Sequence, residues 1–233
     1  MLTTEDLKNA LATAIPALDE IVGRGAALGL EREIQLSLQA ELQKTHGEAA
    51  QKEKWLKDYG GTSVIHDVSN PRIDIVYPGK TFVRGKKLAR VVELKVLRLP
   101  RLKRGSPMQA LYDWGQMTAD YARTQRAKDL EGGELVALLY GPGIEALAES
   151  DIERAFHNHL FLDYETARRF GELDPDYMAS ESKEKQEQRK LQKKAGKELG
   201  WDRPYLAREA NAKVVKVGRY AVISIPIPSS SQR

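Results

Sequence analysis

The chain of 233 residues contains no cysteine, only four histidines and four phenylalanines. It also has no apolar run approaching the roughly 20 residues of a membrane helix. The absence of cysteine excludes disulfide bonds, zinc sites built on thiolates and a cysteine nucleophile. No basic and then apolar leader opens the sequence, so we expect a cytoplasmic protein without a membrane partner. A glycine-rich phosphate loop of the Walker kind is also missing.

Apolar residues make up 41% and charged residues 30% of the chain, which is the balance of a globular protein with a sizeable core. The net charge of +4 is distributed unevenly. Residues 78–106 contain ten basic residues and one acidic residue, a local charge of +9 that leaves −5 for the rest of the chain. Such a concentration of positive charge suits a polyanion, above all nucleic acid.

Residues 72–77 and 88–96 alternate polar with apolar side chains, which predicts two paired strands. Successive side chains of a strand point to opposite faces, so Asp74, Glu93 and Lys95 converge if the polar faces lie together. Carboxylates are the ligands that Mg²⁺ prefers, and a lysine beside such a metal can orient a water. The pattern therefore suggests a metal-dependent phosphodiesterase. The alternative is a surface hairpin whose charged face meets water.

Pro71 and Asp74 on one strand, followed by Glu93, Leu94 and Lys95 on the next, resemble the PD-(D/E)XK phosphodiesterase superfamily. The resemblance implies a restriction-endonuclease-like α/β fold with an αβββαβ core and a mixed sheet flanked by helices. It also implies a Mg²⁺- or Mn²⁺-dependent nuclease that leaves a 5′-phosphate. By that resemblance, Asp74, Glu93 and the Leu94 carbonyl bind the metal, and Lys95 positions or deprotonates the attacking water.

Hydrophobic periodicity predicts an order of elements that matches this core. An N-terminal helix within residues 1–25 precedes a nuclease core at 26–143. An extension at 144–233 follows, with a charged arm at 180–200 and a hairpin at 214–227. The predicted core elements are a helix at 26–44, strands at 62–68, 72–77 and 88–96, a helix at 106–128 and a strand at 134–140.

The long interval between Asp74 and Glu93 requires either an extended hairpin or a small insertion. Pro78 with Gly79 indicates a first turn, and residues 84–87 indicate a second.

Glu31 falls inside the apolar stripe of the helix predicted at 26–44, where a carboxylate needs a partner. The resemblance implies that a glutamate of this helix reaches the metal site, and Glu31 matches that position. Gln35, one turn later, points the same way, and Glu41 is a second candidate. The alternative is that Glu31 only favours the positive end of the helix dipole.

The resemblance and the local charge together predict a nucleic-acid-binding surface, with DNA as the expected substrate. A homodimer is expected if both strands of a duplex are cut together. Two other functions stay open: a nucleic-acid-binding module with an unused metal site, and an assembly or interaction protein. The predicted binding residues are Lys86, Lys87, Arg98, Arg101, Lys103, Arg104, Gln109 and Gln116.

Overall fold

The first helix, α1, spans Thr4–Gly23 in the computed structural model, within the residues 1–25 where the sequence predicts an N-terminal helix. It begins with a capping box in which the Thr3 hydroxyl accepts the Asp6 N–H and the Asp6 carboxylate accepts the Thr3 N–H. Pro16 predicts a kink or a split, but a single helix runs through it. The residues described are 2–25, 29–61, 72–98, 127–145, 147–150, 152 and 213–227.

The second helix, α2, spans Leu30–His46 and follows Gly29, whose φ of 103° is accessible mainly to glycine. Its apolar face packs against α1 and the sheet. Among the described residues, three short helices follow: the 3-10 helices Gly47–Ala49 and Leu56–Tyr59, and α3 at Pro142–Glu145.

The described residues form six strands: β1 Gln51–Trp55, β2 Arg72–Val83, β3 Lys86–Arg98, β4 Leu130–Tyr140, β5 Lys213–Val217 and β6 Tyr220–Ile227. They make one mixed sheet, so the α/β class predicted from the sequence is confirmed. The strand order is β1-β2-β3-β4-β6-β5. β3 and β4 are parallel neighbours, and the other neighbouring pairs in this order are antiparallel.

β1 lies in a segment whose polar composition predicts a helix end and a loop, so that prediction is wrong. The strand occupies one edge of the described sheet, where charged side chains discourage pairing with another chain. Besides the main-chain pairing of β1 with β2, the Arg72 guanidinium lies 4.6 Å from the Trp55 ring centroid and 3.0 Å from the Glu53 carboxylate. The strand predicted at 62–68 lies outside the described residues.

The β2–β3 hairpin is an extended one, as the interval between Asp74 and Glu93 requires. The turn predicted at Pro78 and Gly79 is wrong, because β2 continues through both residues with a register shift between Pro78 and Phe82. The second turn, predicted at residues 84–87, is confirmed: the chain reverses at Arg84 and Gly85, which both have positive φ, as a two-residue type I′ hairpin turn requires.

β4 begins at Leu130, four residues before the predicted start, and includes Gly132 and Gly133. A Cβ atom on Gly133 would lie 2.1 Å from the Val91 carbonyl oxygen, so only glycine allows this close approach to β3. The hairpin predicted at 214–227 is confirmed as β5 and β6, with its turn at Gly218 and Arg219, and it extends the sheet through β4. The predicted helix at 106–128 and the arm at 180–200 lie largely or entirely outside the described residues.

The main core forms where α1 and α2 cover one face of the sheet. Val92 and Leu94 of β3 point into this core. Val76 and Val91, which pair across β2 and β3, belong instead to a second apolar cluster with Leu56. The predicted division of β3 into two faces is therefore confirmed.

Candidate active site on the second and third strands

Asp74 bridges the two strands that the sequence singles out. Its Oδ2 atom accepts the Leu94 N–H at 2.6 Å. The regular main-chain pairing of β2 with β3 reaches as far as Ile75 opposite Val92. The Asp74 carboxylate therefore accepts a main-chain N–H that lies just beyond the last of these paired residues. A hydrogen bond to a charged acceptor contributes about 1.5–3 kcal/mol to stability.

The direction of this hydrogen bond also locates the Leu94 carbonyl. In a strand, the N–H and C=O of one residue point to the same side, and the side alternates with each residue. Because the Leu94 N–H points toward Asp74 on β2, the Leu94 carbonyl points toward β2 as well. One carboxylate and one main-chain oxygen therefore lie on the same side of β3.

Glu93 and Lys95 flank Leu94 and point away from the α1–α2 core, on the face that carries Val91. Glu93 has no exposed surface and Lys95 is partly buried. Continued by one residue, the β2–β3 register sets Asp74 opposite Glu93. A fully buried carboxylate is costly unless it is paired, hydrogen-bonded or bound to a cation. The strand geometry thus brings the three predicted residues to one region of the sheet.

Gln35 of α2 is the residue that connects the helix to this region. Its side chain is buried and its Nε2 atom donates to the Asp74 carbonyl oxygen at 2.9 Å. The Gln35 side chain therefore reaches the strand that carries Asp74. The hydrogen bond holds the main chain of Asp74 from the core side while its carboxylate reaches β3.

The placement of Glu31 within the buried stripe is wrong, since Glu31 is exposed in the first turn of α2. It is nevertheless one turn before Gln35, and residues four apart are neighbours on a helix surface. Glu41 is the buried glutamate of this helix, and both of its carboxylate oxygens accept from Lys44, at 2.6 and 2.7 Å. That ion pair already accounts for the burial of Glu41.

The donor set at the site suits a hard cation. Mg²⁺ is usually held by one or two carboxylates together with waters and substrate phosphates. Asp74, Glu93 and the Leu94 carbonyl supply two carboxylates and one neutral oxygen, and a carboxylate that accepts one N–H can still bind a metal. Within the described ranges, no group of three or more His, Cys, Asp or Glu side chains could hold a metal ion.

Only part of the predicted nucleic-acid surface lies in the described residues. Lys86 and Lys87 are exposed at the tip of the β2–β3 hairpin, and Lys86 forms an ion pair of 2.8 Å with Asp129. Arg98 is the last residue of β3. The others, Arg101, Lys103, Arg104, Gln109 and Gln116, are outside the described residues.

A buried polar network on the helix-covered face was not anticipated from the sequence. The Tyr77 hydroxyl donates to Glu134 Oε2 at 2.9 Å, and Arg90 donates to the other Glu134 oxygen and to the Tyr77 hydroxyl, each at 3.2 Å. Burial raises the pKa of Tyr77 far above its usual value, so the phenol stays a donor. Burial alone would lower the pKa of Arg90, but Glu134 and Tyr77 raise it. Both residues are therefore held in their protonated forms.

Glu131 extends this network toward the hairpin tip. It lies 3.8 Å from Arg90 and accepts the main-chain N–H groups of Lys80 and Thr81, the latter at 2.8 Å. Desolvation alone would raise the pKa of Glu131, but these donors and Arg90 lower it below its usual value. The regular pairing of β2 with β3 is interrupted between Pro78 and Phe82, and there the Glu131 carboxylate takes the place of main-chain acceptors on β3.

No protein-family model matches this chain, and comparisons with curated proteins and with solved structures give no significant match. In the part of the chain that the structure describes, no helix has both the length and the apolar character needed to cross a membrane.

Proposed function

We propose that this protein is a metal-dependent nuclease of the PD-(D/E)XK type, acting on DNA. The observation that carries the proposal is the Asp74 carboxylate on the Leu94 N–H, between fully buried Glu93 and partly buried Lys95. Two carboxylates, a main-chain carbonyl and a lysine at one place on a sheet match the parts that metal-assisted phosphodiester hydrolysis requires.

The topology supports the same proposal. A helix, α2, precedes an antiparallel β1-β2-β3 meander, and β4 then lies parallel to β3. Parallel neighbours require a crossover that returns the chain to the other end of the sheet, and the helix predicted at 106–128 falls in that connection. This order agrees with an αβββαβ core in which residues 51–55 supply the first strand.

In the proposed reaction each residue has a distinct task. Bound at Asp74, Glu93 and the Leu94 carbonyl, Mg²⁺ or Mn²⁺ would lower the pKa of a water and neutralise phosphate charge. Lys95 orients the attacking water from the same face of β3. Gln35 acts through the Asp74 main chain and is a positioning residue.

The decisive experiment is cleavage of supercoiled plasmid and of single-stranded circles in Mg²⁺, Mn²⁺ or EDTA. We expect metal-dependent cutting by the wild type and a loss of at least about 100-fold in Lys95→Ala, the range for removal of a proton-transfer group. Lys8→Ala, at an exposed lysine of α1, is the matched control and should cut normally.

Asp74→Asn adds a second readout that does not depend on turnover. The amide oxygen can still accept the Leu94 N–H, but the negative charge is gone. A cation that binds only the folded state raises the free energy of unfolding by about 1.4 kcal/mol when its concentration is ten times its Kd. We expect Mg²⁺ to raise the Tm of the wild type and not of Asp74→Asn. A folded wild type that neither cuts nor responds to any divalent cation would exclude the nuclease.

A further inference from the structure

The tip of the β2–β3 hairpin displays apolar side chains that the fold does not use. Phe82 is 66% exposed and Val83 is 46% exposed. They face Lys87 and Lys86, respectively, across the last two pairs of the hairpin. Neighbouring residues of a strand point to opposite sides, so Phe82 and Val83 lie on different sides of the tip.

The hairpin segment itself carries charge of one sign. From Lys80 to Lys87 the sequence has four basic residues and no acidic residue. The Lys87 ammonium lies 5.9 Å from the centroid of the Phe82 ring, within range of a cation–π contact. Proteins that bind single-stranded nucleic acid combine aromatic rings, on which bases stack, with cations that contact the phosphates. The tip offers both kinds of group.

The turn itself carries an unfavourable residue. Arg84 has a φ of 50°, at a turn position where asparagine, aspartate or glycine is preferred. A side chain at positive φ is disfavoured relative to glycine. The chain nevertheless places a cation at the apex of the hairpin, which local backbone preference does not explain.

The tip is fixed to the body of the protein by three anchors. Glu131 accepts the main-chain N–H groups of Lys80 and Thr81, and Lys86 pairs with Asp129. The Ala89 N–H also donates to the Asp129 carbonyl oxygen at 3.2 Å. Phe82 is therefore presented from a preorganised arm, which reduces the entropy lost on binding.

We propose that this tip binds single-stranded nucleic acid, with Phe82 stacked on an unpaired base and Lys87 and Arg84 on the flanking phosphates. Stacking on a base that is already unpaired avoids the unstacking cost that a wedge in a duplex must overcome. The choice of nucleic acid as the partner rests on the proposed nuclease function. Lys87 and Glu93 are six residues apart on β3, so at most about 21 Å separates their Cα atoms. One strand of about six nucleotides can span that distance.

Fluorescence anisotropy with labelled single-stranded and duplex oligonucleotides, in Ca²⁺ and in EDTA, tests the proposal without cleavage. We expect Phe82→Ala to weaken single-strand binding about 5- to 100-fold and duplex binding less. Phe82→Trp should bind at least as tightly as the wild type, and Phe82→Leu should be as weak as Phe82→Ala because it lacks a flat ring. Val83→Ala, on the other side of the tip, is the matched control and should bind normally.

Several results would overturn the stacking role. These are unchanged single-strand binding by Phe82→Ala, full binding by Phe82→Leu, or no binding by the wild type in either condition. A lower molar mass of Phe82→Ala in light scattering would instead assign the tip to contact with a second copy. Cleavage with unaltered Phe82→Ala binding would refute only this inference. Phe82-dependent binding without cleavage would refute only the nuclease.

Discussion

Replacement of Glu134 by leucine tests the buried network of Tyr77, Arg90 and Glu134. Glu134 is 2% exposed and the Arg90 side chain 12%, so the substitution leaves a cation largely out of water without its closest carboxylate. Breaking a buried pair from one side costs about 3–5 kcal/mol. We expect a loss of stability at the lower end of this range, about 3 kcal/mol, because the Glu131 carboxylate still lies 3.8 Å from the Arg90 guanidinium. For a chain of this length that corresponds to a fall in Tm of roughly 6–12 °C.

Urea denaturation followed by circular dichroism measures the free energy of unfolding of each variant. Equal m-values would show that the variants expose the same surface on unfolding and can be compared directly. The matched control is Glu20→Gln, which breaks the exposed Glu20–Arg24 pair of α1 and should cost less than about 1 kcal/mol. The triple variant Tyr77→Phe, Arg90→Met, Glu134→Leu should recover most of the lost stability, because it removes both charges of the buried pair and leaves Glu131 hydrogen-bonded to the Lys80 and Thr81 main chain. If Glu134→Leu costs no more than Glu20→Gln, the network does not stabilise the fold as argued.

Two further predictions concern the same end of the sheet. The lowered pKa of Glu131 stabilises the folded state above the carboxyl's usual value of 4.5, and this contribution is lost as the pH falls through the lower folded-state pKa. The wild type should therefore lose more stability between pH 6 and pH 3 than Glu131→Gln does. The control Glu48→Gln, at an exposed position, should follow the wild type. If the free energy of unfolding falls equally with pH in all three proteins, Glu131 does not stabilise the folded state in this way. Gly133→Ala should cost at least about 2 kcal/mol in chemical denaturation, because its methyl group meets the Val91 carbonyl. Gly23→Ala, with open space around it, is the control, and equal effects would show that β4 can shift away from β3.

Much of the sheet follows from local pattern. The alternation of polar and apolar side chains identifies β2, β3 and the C-terminal hairpin, since one face of each is buried. β1 has no such alternation, because four of its five residues are polar or charged. The continuation of β2 through Pro78 and Gly79 was also beyond prediction. It depends on the distant Glu131 carboxylate, which supplies acceptors for Lys80 and Thr81.

The candidate site, too, follows only in part from the local sequence pattern. Alternation and antiparallel pairing are enough to bring Asp74, Glu93 and Lys95 together. They do not show that the Asp74 carboxylate reaches the Leu94 N–H, which depends on where the ladder stops. A helical projection likewise cannot show that Glu31 stays exposed, because exposure depends on how far the sheet extends beside the start of α2.

The position of β4 has a consequence for the order of folding. The β2–β3 hairpin, which carries Asp74, Glu93 and Lys95, is closed by a two-residue turn, and its two strands pair across a short sequence separation. β4 has to pair with β3 and with β6, which begins only at Tyr220, so this part of the sheet requires contacts of long sequence separation and forms slowly. During synthesis the hairpin can form while the far edge of β4 still lacks its partner. That interval is when the chain is most open to aggregation and when a chaperone would matter most.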